Sequence, residues 1–427
     1  MKIALINHGC PKNLVDAELM LGILDKNGYN ITLDEQEANI VIVNTCSFIH
    51  DAEKESVQSI LEMIEDGKQV IVTGCLSQKY KEELKASIPE LAGMIGTSNL
   101  KDIIKIVKNI ELKKGYKSLI QTKPKYIYPE DITRQQITMG ASSYLKIGEG
   151  CNYQCGYCII PKLRGKYISR PIENIVKEAQ MLADKGVTEI ILIAQDTSSY
   201  GIDLYGKQKL PELLEKLNQI QNLSWIRIMY AYPTQMTDEL IDAIAKLDKV
   251  VKYVDIPLQH SHPRVLESMR RPVMDYRELI EKIRKKIPGV SVRTSLIVGY
   301  PGETEEEFEH LYKFVQDIKF DRMGAFEYSR EKETYSYNLK KQRRNKLMEL
   351  QQKISLENNR KYIDSTIKCI VEGYTDEGVI ILRSEHDAPE IDGLVYASSD
   401  RQVVPGDIEN VKITKADEYD LFGIITE

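Results

Sequence analysis

Residues 149–161 read EGCNYQCGYCIIP and hold three of the chain's seven cysteines within eight residues. Cys151, Cys155 and Cys158 form C-x3-C-x2-C, directly after the strand-like run SYLKIG (143–148) and a glycine. Three thiolates on one loop suit a soft metal centre. Structural zinc commonly takes four protein ligands, often as two closely spaced pairs, and no further Cys or His follows nearby. A cubane iron–sulfur cluster on three thiolates leaves one iron open to a small molecule.

The flanking sequence says what carries that loop. From about residue 141, strand-like runs alternate with amphipathic segments: SYLKIG, EIILIAQ (189–195), WIRIMY (225–230), KYVDIPLQ (252–259), VSVRTSLIVG (290–299) and MGAFEY (323–328). Between them lie helical patterns such as ENIVKEAQMLADKG and TEEEFEHLYKFVQDI, the latter with a Thr304 cap and an acidic first turn. Repeated β/α units of this length predict a full or partial barrel, with its chemistry at the C-terminal ends of the strands. A long polar helix over about 339–361 ends this part, and its KQRRNK run reads as a solvated face.

Upstream, KIALIN (2–7), NIVIVNT (39–45) and QVIVTG (69–74) are nearly continuous apolar runs, as expected of parallel strands buried on both faces. With helical patterns between them they predict an open parallel α/β sheet. Downstream, short alternating runs separated by Gly, Asp and Pro predict a small all-β barrel. The expected division is 1–116, a polar Pro-containing linker at 117–140, a barrel at 141–363 and the β-barrel at 364–427.

At 427 residues, 42% hydrophobic and 29% charged, the composition is that of a soluble globular protein. No apolar run approaches a membrane span, and MKIALINHGC is too short an apolar stretch for a secretory signal. A cytoplasmic location is therefore expected, where thiols stay reduced. An odd cysteine total argues against a complete disulfide framework, and a net charge of −6 against a dominant nucleic-acid footprint.

Cys10, Cys46 and Cys75 each follow one of the three N-terminal strands directly, in INHGC, VNTC and VTGC. Loops after the strands of an open parallel sheet share one edge, where ligands bind. The topology thus predicts a second trio of thiolates, again one ligand short of four. Cys369 has no such companions and reads as a packed residue.

C-x3-C-x-aromatic-C in the first loop of a β/α barrel resembles the radical S-adenosylmethionine (SAM) signature. NHGCPKNLVDAE, VNTCSFIHDAEKES and IVGYPGETEEEF, with the C-terminal segment similar to a TRAM domain, resemble the methylthiotransferase family over the whole chain. The resemblance implies two 4Fe–4S clusters, a radical SAM cluster on Cys151, Cys155 and Cys158 and an auxiliary one on Cys10, Cys46 and Cys75. It further implies SAM in two uses. One SAM methylates a sulfur carried by the auxiliary cluster; another is cleaved reductively to a 5′-deoxyadenosyl radical that takes hydrogen from substrate carbon. Tyr157 is then expected near the adenine, Gln195 and Asp196 near the SAM amino group, and Arg293 against its carboxylate. Gln259 with His260 stands at another strand end, and Gly299 and Gly302 permit close backbone approach. A structural role at the barrel rim is the alternative for each, and His262 also reads as a rim residue.

The family modifies either an adenosine beside the tRNA anticodon or an aspartate β-carbon of the twelfth small-subunit ribosomal protein. AQDTSSYGIDLYG (194–206), YAYPTQMTDELIDAI (230–244) and the terminal YDLFG resemble the ribosomal-protein branch. Charge agrees: residues 366–427 carry five Lys/Arg against fourteen Asp/Glu, a balance of −9 that leaves +3 for the rest. Such a module repels phosphates and attracts a basic ribosomal protein. The expected partners are that protein, through the acidic TRAM-like domain, and an electron donor such as flavodoxin or ferredoxin, with no membrane and no stable tRNA complex. The competing readings are a tRNA methylthiotransferase, an enzyme whose second cluster relays electrons, and a non-enzymatic iron–sulfur RNA-binding protein.

Overall fold

Short runs of Ile and Val, too brief for helices, become the strands Lys2–Asn7, Ile40–Thr45 and Gln69–Gly74 in the computed structural model. The structure describes all residues except 48–49, 127, 129–133, 138–139, 329–334 and 427. Contacts divide it into two units. The first comprises residues 1–139, 146–154 and 158–170; the second comprises 140–145, 155–157 and 171–427.

The first unit is a six-stranded sheet in the order 30–31, 2–7, 40–45, 69–74, 93–95, 117–119, and its paired strands all run parallel. Ile40, Val41, Ile42 and Val43 are wholly buried, as a central strand covered on both faces requires. The helices Pro11–Lys26 and His50–Glu65 form the crossovers. The stretch expected to be linker supplies the sixth strand, Lys117–Leu119.

In the second unit the strands Trp225–Ile228, Glu189–Ile193 and Ser142–Lys146 form one sheet, and Tyr253–Asp255, Ser291–Val298 and Arg322–Glu327 another. A parallel bridge between Ile226 and Val250 joins them into one partial barrel. Amphipathic helices cover the outside, among them Glu305–Ile318, which opens on a capping box between Thr304 and Glu307. The C-terminal segment is a closed five-stranded barrel, as expected.

That small barrel meets the N-terminal ends of the larger barrel's strands. Arg383 donates to Glu189 and to Ser142 Oγ (2.9 Å), Arg322 to Asp387 (2.7 Å), and Tyr253 to Asp392 (2.6 Å). Arg227 joins them, donating to Glu189 at 2.8 Å and to the Glu385 carbonyl at 3.0 Å. Burial works against the Glu189 charge, but the guanidiniums of Arg383 and Arg227 outweigh it and hold its carboxyl at about 2. Among the described residues no helix is long and apolar enough to cross a membrane.

Candidate functional site

The order of the first sheet places its topological switch point between strands Lys2–Asn7 and Ile40–Thr45. Asn7 is in register with Asn44, and Thr45 with Gly74, so these two strands and Gln69–Gly74 end near one level. Cys10 follows the first of them, Cys46 the second and Cys75 the third. The sheet thus carries the three sequence-remote cysteines to one edge.

Polar side chains fix the strand ends. Asn44 donates to Asn7 Oδ1 (2.9 Å) and to the Asn13 carbonyl (2.7 Å), while Asn13 donates to the Thr45 carbonyl at 2.9 Å. Cys10 is exposed and caps Pro11–Lys26 in an extended conformation. Cys46 is half-buried, and its amide donates to Ser56 Oγ at 3.3 Å. Cys75 is buried and opens the helix Cys75–Tyr80. Gly74 makes that turn with φ +94°, where a Cβ would lie 2.5 Å from the Thr45 carbonyl oxygen.

A buried ion group backs this edge. Arg164 donates to Asp16 (2.8 Å), to Asn13 Oδ1 and to Cys75 Sγ (3.6 Å), with Glu149 at 3.5 Å. Lys146 bonds Asp16 and Glu149 (2.8 Å), and Tyr126 donates to Asp16 at 2.8 Å. Two cations thus balance two carboxylates out of water. Burial pushes the Cys75 thiol up, and the Arg164 charge opposes that push. This group is not legible in the sequence, because a single Arg, Lys, Asp or Glu reads as surface until the fold assembles them.

The loop between strand Gly148–Glu149 and helix Ile160–Arg164 carries Cys151, Cys155 and Cys158, all partly exposed. In the first unit the Cys151 amide donates to the Gly165 carbonyl at 3.1 Å. In the second, the Gly156 amide donates to the Met269 carbonyl at 2.9 Å, and Tyr157 packs on Val265, Met269 and Tyr300. Arg271, which the sequence reading passed over, is an electrostatic neighbour of Cys155 and Tyr157 and stacks its guanidinium 4.2 Å from the Tyr232 ring centre. Among the described residues no three His, Cys, Asp or Glu side chains gather tightly enough for a single metal ion.

Gln195, Asp196, Gln259, His260, Gly299 and Gly302 all fall after or beside the C-terminal ends of the second unit's strands. Asp196 accepts from Ser198 Oγ (2.6 Å) and from the amide and hydroxyl of Ser199. Burial raises its carboxyl above the ordinary range, against the pull of those donors. Gln259 stands at φ +72° and bridges to Leu296; Gly299 and Gly302 also have positive φ. His260 is wholly buried, accepts from the His262 amide at 3.0 Å, and is pushed down to about 3 by burial, so it is neutral near pH 7. Arg293 is not brought to these ends. As the third residue of its strand it pairs with Asp255 at 3.0 Å and Asp392 at 3.5 Å.

Residues 145–315 match the radical SAM superfamily, 2–96 the uncharacterized protein family UPF0004, and 363–425 the TRAM domain. The chain is 50% identical over 435 residues to the ribosomal protein uS12 methylthiotransferase RimO of Caldanaerobacter subterraneus subsp. tengcongensis, covering 99% of both chains. It is 47% identical over 438 residues to that of Clostridioides difficile, covering 99% of this chain and 98% of the relative. The chain belongs to the RimO family. Membership in this radical SAM family brings an iron–sulfur cluster and SAM.

Solved structures agree at the level of fold alone. The radical SAM methyltransferase TsrM of Kitasatospora setae matches with TM-score 0.57 at 14% identity, covering 76% of this chain and 72% of that one. The cobalamin-dependent enzyme OxsB matches with TM-score 0.51 at 11% identity, covering 82% and 56%. Against the RimO family background, Lys146, Arg164 and Arg271 are cations near the cysteines that the structure adds to the residues read from sequence.

Proposed function

We propose that this chain transfers a methylthio group to the β-carbon of an aspartate of ribosomal protein uS12, using two 4Fe–4S clusters. One would be held by Cys151, Cys155 and Cys158, the other by Cys10, Cys46 and Cys75. The observation that carries the second cluster is the exit of three cysteines from the ends of three adjacent parallel strands at a switch point. The donor set fits in its chemistry: it is thiolate only, the ligand type that iron–sulfur clusters take. A cubane spreads its thiolates over separate irons.

When bound, the clusters supply the electron that cleaves SAM and a coordination position for the transferred sulfur. The chain's own residues position and insulate. Gly74 and the Asn13–Asn44 bonds fix where Cys75 and Cys46 leave the sheet. Arg164 lays a cation beside Cys75, which favours the thiolate a metal requires. Tyr157 offers a ring at the barrel loop for the adenine, and Gln195, Asp196, Gln259 and Gly299 offer polar atoms and open backbone at the strand ends.

A basic ribosomal protein is the fitting substrate for the C-terminal barrel's acidic surface. Asp387 and Asp392 are spent on barrel arginines, but Asp376, Glu377, Glu390 and Asp400 stay exposed. The work is placed in the cytoplasm, with flavodoxin or ferredoxin as reductant and no stable tRNA complex. The test is anaerobic reconstitution with SAM, sulfide, dithionite as reductant and uS12, followed by mass spectrometry for an added SCH3 group on an aspartate. Modification of tRNA adenosine in place of uS12 would overturn the reading.

A further inference from the structure

The first unit holds a cavity of about 900 Å³ that takes no part in the site above. Six lysines line it, Lys79, Lys81, Lys123, Lys125, Lys162 and Lys166. Lys79 pairs with Glu53 at 2.9 Å, whereas the other five form no ion pair with a described residue. Lys123, Lys125, Lys162 and Lys166 are exposed. Between them the floor is apolar, with Pro161, Leu163 and Ile168. One wall begins at Ile159, the residue bonded to Cys158, and continues through the helix Ile160–Arg164.

We propose that this lysine-ringed cleft docks an acidic one-electron carrier protein, whose electron enters through the Cys158–Ile159 segment. The proposal rests on the reading of Cys158 as a cluster ligand. Reductive cleavage of one SAM consumes one electron; a reduced flavin hydroquinone gives it and becomes the semiquinone. Five lysines without an ion pair to any described residue, in a chain of net charge −6, select an acidic partner. The rival occupant is ribosomal RNA, and the lining argues against it. RNA grooves use arginine forks and aromatic platforms for phosphates and bases, and the lining contains neither Arg nor an aromatic residue. An apolar floor within a charged rim suits instead the small, electrostatically steered encounters of electron-transfer proteins.

The experiment compares wild-type holoenzyme with the variant carrying Lys123→Glu, Lys125→Glu, Lys162→Glu and Lys166→Glu, and with the same four changed to Gln. An acidic flavodoxin and a short RNA duplex serve as fluorescent probes in anisotropy titrations at about 50 and 200 mM salt. SAM cleavage is driven once by reduced flavodoxin and once by dithionite. The expected result is that the Glu variant weakens flavodoxin binding by at least about tenfold and the Gln variant by less. Flavodoxin-driven cleavage should slow in parallel, with dithionite-driven cleavage unchanged. Equal flavodoxin binding by all three proteins, or loss of RNA binding alone, overturns the proposal. Absence of dithionite-driven cleavage from wild type would instead strike the cluster reading, while the titrations still judge the docking face.

Discussion

Two cysteine trios are built in opposite ways. Cys151, Cys155 and Cys158 share one loop, so their proximity is written into local spacing. Cys10, Cys46 and Cys75 are separated by dozens of residues and reach one sheet edge only because three strands lie side by side and end together. Local spacing survives damage to the fold; topological convergence does not. The surroundings differ as well. Cys75 lies against a buried, charge-balanced ion group. At the second unit's strand ends, Asp196 and His260 are both shifted toward their neutral forms.

The sharpest way to break this comparison is to remove one thiolate from each trio. Cys155→Ala should abolish reductive SAM cleavage entirely, as read by 5′-deoxyadenosine formation. Cys46→Ala should leave that cleavage measurable while abolishing methylthio transfer to uS12. Joint loss in Cys46→Ala would erase the division of labour.

Next in size is Arg164→Met. Removing one partner of a buried ion group leaves Asp16 and Glu149 short of a cation, at a cost of about 3–5 kcal/mol. The first unit's thermal transition should fall accordingly, and Asp16→Asn in the same chain should recover part of the loss. If Arg164→Met is neutral, the ion group does not brace the strand-end trio.

Gly74→Ala tests the topological trio by backbone alone. With φ +94° and the Thr45 carbonyl 2.5 Å from the new Cβ, strain of roughly 1–3 kcal/mol is expected, with displacement of Cys75. Bound iron should fall while 5′-deoxyadenosine formation persists.

The one effect that is absent near neutrality and grows only in acid concerns His260. Its folded value, about 3, lies below the ordinary 6.5, so the unfolded chain binds a proton that the folded chain refuses. Its contribution to stability is complete above pH 6.5 and is lost as pH falls toward 3, by roughly 1 kcal/mol per pH unit. His260→Asn should flatten urea midpoints across that window; an unchanged slope would show that His260 is protonated in the folded chain.

The sequence was most legible where chemistry and spacing coincide. The C-x3-C-x2-C loop, the strand-end positions of Cys10, Cys46 and Cys75, and the Thr304 cap all follow from neighbours in the chain. Lys117–Leu119 escaped because three residues of strand are too few to show a period. The pairing of Arg293 with Asp392 was illegible for a related reason. Strand alternation shows which way a side chain faces but not how far along the strand a partner domain reaches, and here Asp392 of the C-terminal barrel meets it near the N-terminal end. Arg164, Arg271 and the lysine cleft are invisible to spacing, since each joins segments that only the fold assembles.

The measurement that bears most directly on two clusters is iron and acid-labile sulfide per chain in anaerobically reconstituted protein. It should be made beside the variant with Cys10, Cys46 and Cys75 all changed to Ala. Two cubanes predict about eight iron atoms in the wild type and about four in the variant. About four in both would mean that the strand-end cysteines bind no cluster, and the proposed chemistry would lose its sulfur site.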